Sequence, residues 1–170
     1  NEIIKSAIAK GRKIHFVPPY RGETILWLSD LLHIPHLELK ANASEPLIKA
    51  IIKMRMKKDP IEVAEIEKMV NVARNMHTTG MKMAKPGVVE REIAGVMEGI
   101  ALSNGGPVSF PVILSVNGQT LHNHYHGNTL TEGRMLVMDA GCENELHYSS
   151  DITRTVPVGG KFNARQKGIY

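Results

Sequence analysis

Met135-Leu136-Val137-Met138-Asp139-Ala140-Gly141 is an apolar run that ends in an acid. A polar stretch follows, Cys142-Glu143-Asn144-Glu145-Leu146, and then His147 to Val158 alternates and is rich in Thr and Val. The pattern predicts a strand, a turn and a returning strand. Successive strand side chains point to opposite faces, so Ser149, Asp151, Thr153 and Thr155 share one face. In such a hairpin Asp139 and Asp151 come near one another. Two half-buried aspartates repel, and one stays protonated unless a cation compensates. Arg154 points to the opposite face from Asp151 and is a poor candidate for that cation. A divalent metal answers the problem, because carboxylate oxygens suit Mg, Mn or Zn, and two carboxylates can hold a pair of ions about 3.5–4 Å apart. A solvated hairpin with two surface acids is the other reading of the same spacing.

Upstream, Asp59-Pro60-Ile61-Glu62 reads as a helix start, with Asp59 as cap, Pro60 in the first position and Glu62 closing a capping box. The helix is predicted to run to about Lys85, burying Ile66, Met69, Val70, Ala73, Met76 and Met81, until Lys85-Pro86-Gly87 breaks it. The methionines follow that stripe and read as core filler. His77 falls inside this helix and reads as structural. A second helix is predicted over about Val89 to Ser103, with Ile93, Val96, Met97 and Ile100 inward and Gly105-Gly106-Pro107 as its stop. Ser109 to Val116 is β-rich, and Asn117-Gly118 signals a tight turn. Two helices followed by antiparallel strands give an α+β class.

The N-terminal stretch is plainer. Arg12 to Val17 reads as a short strand closed by Pro18-Pro19. Thr24 to His33 has helical spacing, with Ile25, Leu28, Leu31 and Leu32 on one face. Ser44 is a plausible N-cap for a helix to about Lys57, with Leu47, Ile48, Ile51 and Ile52 as its stripe. His15, His33 and His36 read as packing or surface residues.

Composition narrows the function classes. The chain has 170 residues, 42% apolar and 22% charged, which excludes wholesale disorder. No apolar run is long enough for a membrane span, and the N-terminus lacks the layout of a secretion signal. It also lacks an initiator Met, which predicts a chain that begins inside a longer protein. The single cysteine, Cys142, forbids an intrachain disulfide and fits a reducing compartment such as the cytoplasm. Residues 1–58 hold 11 Lys+Arg against 5 Asp+Glu, whereas the remainder is slightly acidic. The cations lack interleaved aromatics, so a nucleic-acid partner is not expected. The charge shift near residue 58 marks a candidate domain boundary.

A second constellation is Leu121-His122-Asn123-His124-Tyr125-His126. Three histidines at period two share a face if the segment is extended, a pattern found in three-histidine zinc sites. A cupin would want a glutamate about four residues past the second histidine, and the next acid here is Glu132. A neutral histidine beside a metal could instead orient substrate or stabilise a developing oxyanion.

Asp139-Ala140-Gly141, Ser150-Asp151-Ile152-Thr153-Arg154-Thr155, Gly160-Lys161-Phe162 and Gln166 with Ile169-Tyr170 together resemble the pita-bread metallopeptidases. The branch they resemble is that of Xaa-Pro aminopeptidases (aminopeptidase P) and proline dipeptidases. His124-Tyr125-His126-Gly127-Asn128 matches that family's His-Tyr-x-x-Asn. The resemblance runs from about residue 53 to 170. It implies that residues 53–170 are the first half of a pita-bread catalytic domain, and that residues 1–52 end a smaller α/β N-terminal domain. It implies two divalent metal ions, usually Mn and otherwise Zn or Co, with Asp139 and Asp151 as two of five ligands. It makes His124 the substrate-contacting catalytic histidine, leaves His122 and His126 outside the motif, and lets Thr153 support the metal ligands by a hydrogen bond. Tyr148 takes the aromatic position before the second aspartate, a packing role. The implied reaction is hydrolysis of an N-terminal Xaa-Pro bond by a water bridging the two metals. The substrate would be a peptide with proline second, and homo-oligomers are left open.

The interval from Asp139 to Asp151 is 12 residues, one longer than the family pattern leads one to expect, so a bulge or longer turn at Glu143–Leu146 is predicted. The family's remaining ligands, one histidine and two glutamates including the general base, belong to a C-terminal half beyond Tyr170. The chain therefore reads as part of a longer enzyme. Two alternatives share the fold: a non-catalytic protein-binding module and a metal-free creatinase-like amidinohydrolase. The retained aspartates argue against both.

Overall fold

The structure is a computed structural model and describes residues 2–104 and 106–170. The chain forms two compact units, Asn1–Lys58 and Asp59–Tyr170. The first contains α1 (Glu2–Ala9), α2 (Gly22–Leu32) and α3 (Glu45–Met56). In α2, Leu28 and Leu31 are buried. Ser44 caps α3 as expected, its hydroxyl accepting from Leu47 N–H at 3.4 Å. The strand expected over Arg12 to Val17 is absent: these residues pair with no strand. The backbone there makes scattered links instead, Arg12 N–H to Ala7 C=O at 3.0 Å and Ser44 N–H to Phe16 C=O at 2.9 Å, and a strand without a ladder is not one.

The second unit holds α4 (Pro60–Met83), α5 (Glu90–Ser103), β1 (Ile113–Ser115), β2 (Met135–Ala140), β3 (Ile152–Pro157) and α6 (Ala164–Ile169). Asp59 accepts from Ile61 and Glu62 N–H, and Glu62 accepts from Asp59 N–H at 2.9 Å, completing the capping box. The stripe of α4 buries Met69, Ala73, Met76, His77 and Gly80. Val70 and Met81, expected inward, lie 39% and 38% exposed at its rim. On α5, Ile93 and Met97 are buried as expected, whereas Val96 is exposed and Ala94 and Ala101 take its place in the core. The expected stop for α5 includes Gly105, which lies outside the described residues.

The three strands form one antiparallel sheet in the order β1-β2-β3. Along β2, Leu136, Met138 and Ala140 are fully buried and join Met69, Ala73, Met76, Ile93 and Met97 in one core. Gly80 permits this approach, because a Cβ there would sit 2.8 Å from Met138 Sδ. The other face of β2, carrying Met135, Val137 and Asp139, is only half-buried. The helices thus cover one side of the sheet and leave the acid-bearing side open. The β1 strand is shorter than the β-rich run predicted, and a long loop links it to β2. Asn117 starts a turn closed by Thr120 N–H, not a two-residue hairpin. At the C-terminal end Asn163 caps α6, Gln166 Nε2 donates to Gly133 C=O, and Phe162 packs on Tyr170 at 4.8 Å.

Candidate metal centre and histidine loop

Strand register brings the acids together. Asp139 lies opposite Thr153 on β3 and opposite Ile113 on β1. Beyond the named strands, the bridge between Glu143 and Ser149 keeps the same register. Asp151 is therefore diagonal to Asp139 on the same face, a placement that sets Cα atoms about 7–8 Å apart. The segment between Glu143 and Ser149, where a bulge or longer turn is expected, forms a turn, and the register on its two sides is the same. Asn144 N–H donates to Tyr148 C=O at 3.1 Å, and His147 accommodates the reversal with φ of 62°. Two contacts tie this turn to the start of α4: Tyr148 Oη donates to Glu62 at 3.0 Å, and Asn144 Nδ2 donates to Glu65 at 2.9 Å. The bond to Glu62 pushes the Tyr148 phenol above its ordinary range. Tyr148 is thus a polar tether as well as a packing residue.

Gly141 faces Asp151 across the hairpin. A Cβ there would lie 1.8 Å from the Ser150 carbonyl oxygen and 2.7 Å from Ser109 Oγ, so only glycine fits. Ser109 Oγ donates to that same carbonyl at 2.8 Å, and its N–H donates to Gly141 C=O at 3.1 Å.

A hollow of about 340 Å³ opens over the acidic face. It is lined by Phe110, Pro111 and Ile113, by Asp139 and Asp151, and by His122 and His124. Asp139 Oδ1 accepts from Thr153 Oγ1 at 2.8 Å. Among the described residues neither aspartate makes an ion pair, and Arg154 donates to Thr153 C=O instead. Two carboxylates on one face without a cationic partner suit a divalent ion. Among the described residues no cluster of three ligating side chains completes such a site.

The condition for three histidines on one face, an extended segment, is not met at His122. His122 adopts φ of 55°, in the left-handed region, and the segment is a loop. His122 and His124 both reach the hollow, whereas His126 turns away and its Nδ1 donates to Leu114 C=O at 3.1 Å. The three do not share a face. His77 lies behind the sheet, 3% exposed, with Nε2 donating to Ala140 C=O at 3.2 Å. Its Nδ1 has no partner among the described residues, and burial pulls its pKa below the ordinary value. Burial likewise pushes the Cys142 thiol up, which makes it an inert core residue.

A fully buried acid escaped the sequence reading. Glu90, 0% exposed, accepts from Val116 N–H at 2.8 Å and from Asn128 through N–H at 3.2 Å and Nδ2 at 2.9 Å. In the sequence it resembles any acid in the first turn of a helix, where solvent is the usual partner.

Residues 64–170 match metallopeptidase family M24, and the chain belongs to that family. Its helices and strands are part of the pita-bread fold. A probable Xaa-Pro aminopeptidase of Aspergillus fumigatus is 34% identical over 140 residues, covering 76% of this chain and 30% of the relative. Prolidase from Pyrococcus furiosus superposes with a TM-score of 0.66 at 30% identity, over 72% of this chain and 36% of that one. Aminopeptidase PepP of Pseudomonas aeruginosa gives 0.75 at 25% identity, over 94% of this chain and 38% of that one. The chain thus spans about a third of the length of the proteins it matches. Divalent metal ions go with the family. No helix among the described residues is long and apolar enough to cross a membrane.

Proposed function

We propose that the chain is part of a metal-dependent exopeptidase that hydrolyses the N-terminal Xaa-Pro bond of peptides. One observation carries the reading: Asp139 and Asp151 face one hollow with His122 and His124, and among the described residues neither acid has a cationic partner. The names of the relatives, Xaa-Pro aminopeptidase and prolidase, support the substrate class. On this reading the catalytic domain, expected to begin at residue 53, begins instead with the unit Asp59–Tyr170, because a boundary at 52/53 would cut α3, and the unit Asn1–Lys58 ends the domain before it.

Asp139 and Asp151 would hold part of a pair of divalent ions, manganese in the first instance, with zinc or cobalt as substitutes. The ions supply Lewis acidity and an acidified water. Thr153 steadies Asp139 by donating to Oδ1, and no hydrogen bond to Oδ2 is seen among the described residues. His124 contacts the scissile carbonyl and stabilises the charge that develops on its oxygen. His122 lines the same hollow and is the competitor for that role. Phe110, Pro111 and Ile113 supply an apolar wall against which a proline ring can pack. The buried thiol of Cys142 accords with a cytoplasmic protein.

The test uses the full-length protein and metal analysis alongside turnover of Xaa-Pro peptides. Asp139→Asn and Asp151→Asn should each lose metal and activity together. His124→Ala should keep metal and lose turnover. If His124→Ala turns over normally while His122→Ala does not, the role passes to His122. Full metal content in both aspartate variants would sink the reading.

A further inference from the structure

The loop that brings His122 and His124 to the hollow leaves β1 at Val116 and returns at Asn128. Both ends are held by one side chain. Glu90 Oε1 accepts from Val116 N–H at 2.8 Å, and Oε2 accepts from Asn128 N–H at 3.2 Å and Asn128 Nδ2 at 2.9 Å. A fully buried carboxylate is costly unless its oxygens are satisfied, and three donors satisfy this one. The backbone around it reinforces the grip. Glu90 N–H donates to Asn128 C=O at 3.0 Å, and Arg91 N–H donates to His126 C=O at 3.0 Å. Val89 bridges Thr129, and Leu130 N–H donates to Val88 C=O at 2.8 Å. His126, inside the loop, donates to Leu114 C=O. The loop between these anchors contains a non-glycine residue, His122, in the left-handed region, a conformation that persists only where the surroundings enforce it.

We infer that Glu90 is a positioning residue: its carboxylate clips the two ends of the histidine loop together and so sets where His122 and His124 stand over Asp139 and Asp151. The inference rests on the reading of the hollow as the reacting site. Both side-chain oxygens accept, one from each end of the loop, so the clip needs two acceptor atoms. An amide at this position presents an NH2 group to one of the two backbone N–H groups, and that end of the loop comes free.

The experiment compares the wild-type full-length protein with Glu90→Gln, and with Asn128→Ala as a milder cut that leaves the charge in place. Amide exchange at Val116 and Asn128 and the ring resonances of His122 and His124 report the clip directly. Glu90→Gln should speed exchange at one anchor by about tenfold or more, the signature of a lost bond to a charged group. The histidine resonances should shift, while exchange in α4 and β2 stays as in wild type. Asn128→Ala should move the same signals in the same direction by less. In turnover of Xaa-Pro peptides, kcat should fall about tenfold to a hundredfold with metal content unchanged and KM little affected. Unmoved histidine resonances and anchor exchange, or normal kcat with the loop loosened, would overturn the assignment of Glu90. If wild type itself turns over no Xaa-Pro peptide, the functional reading fails instead, and the exchange and resonance data still decide whether Glu90 is the clip.

Discussion

Thr153 donates its hydroxyl to Asp139 Oδ1 at 2.8 Å from the directly opposed position on β3. The bond fixes one carboxylate oxygen and leaves the other for a ligand. Thr153→Val keeps the β-branched shape and deletes the donor. Metal affinity should fall about tenfold to a hundredfold by competition titration, and Thr153→Ser should restore most of it.

Gly141→Ala places a methyl group where the Ser150 carbonyl already stands. The hairpin must open to admit it, and Asp151 moves with the opening. Denaturant titration should show a loss of at least about 2 kcal/mol. An unchanged midpoint would mean that the two strands separate without cost.

His77 gives a pH dependence of fixed sign. Burial lowers its native pKa below the unfolded value of about 6.5, so between the two values the unfolded chain binds the extra proton. Its contribution is intact above about pH 6.5 and is lost as pH falls toward the native pKa. His77→Gln, which can still donate to Ala140 C=O, should show a shallower fall in Tm between about pH 7 and pH 5. Parallel curves for the two proteins would exclude His77 as a source of the acid sensitivity.

Asp59→Ala removes the acceptor for two N–H groups at the start of α4. It should cost about 1 kcal/mol. The Tyr148 and Asn144 tethers run to Glu62 and Glu65 in the same turns, so fraying there should also raise exchange at the Asn144–Tyr148 turn.

What could be read from the letters follows the range of the forces involved. Helix starts at Ser44 and Asp59 are local chemistry, an acceptor next to free N–H groups, and both stand where expected. The shared face of Asp139, Asp151 and Thr153 follows from a period of two, and the strand register carries it. The histidine loop was not legible. Period two at His122, His124 and His126 puts them on one face only if the segment is extended, yet among the described residues no edge pairs with it, and anchors at Glu90 and Leu114 decide its course. Those anchors are distant in sequence, so no local pattern announces them. The missing strand over Arg12 to Val17 has the same origin, since a ladder needs a partner that propensity alone does not supply.

Because Asp139, Asp151 and Thr153 meet through one register, which runs from Met135–Pro157 to Ala140–Ile152 and is kept at the Glu143–Ser149 bridge, the hairpin tolerates change unevenly. Residues can be gained or lost at the Asn144–Tyr148 tip while every pair below it keeps its mate. A single residue inserted between Ile152 and Thr153, by contrast, exchanges inside for outside along the rest of the strand, taking the Thr153 hydroxyl away from Asp139 and turning Val156 to the acid-bearing face. Length variation among homologous hairpins should therefore gather at the tip, with the flanks constant in number even where their letters differ.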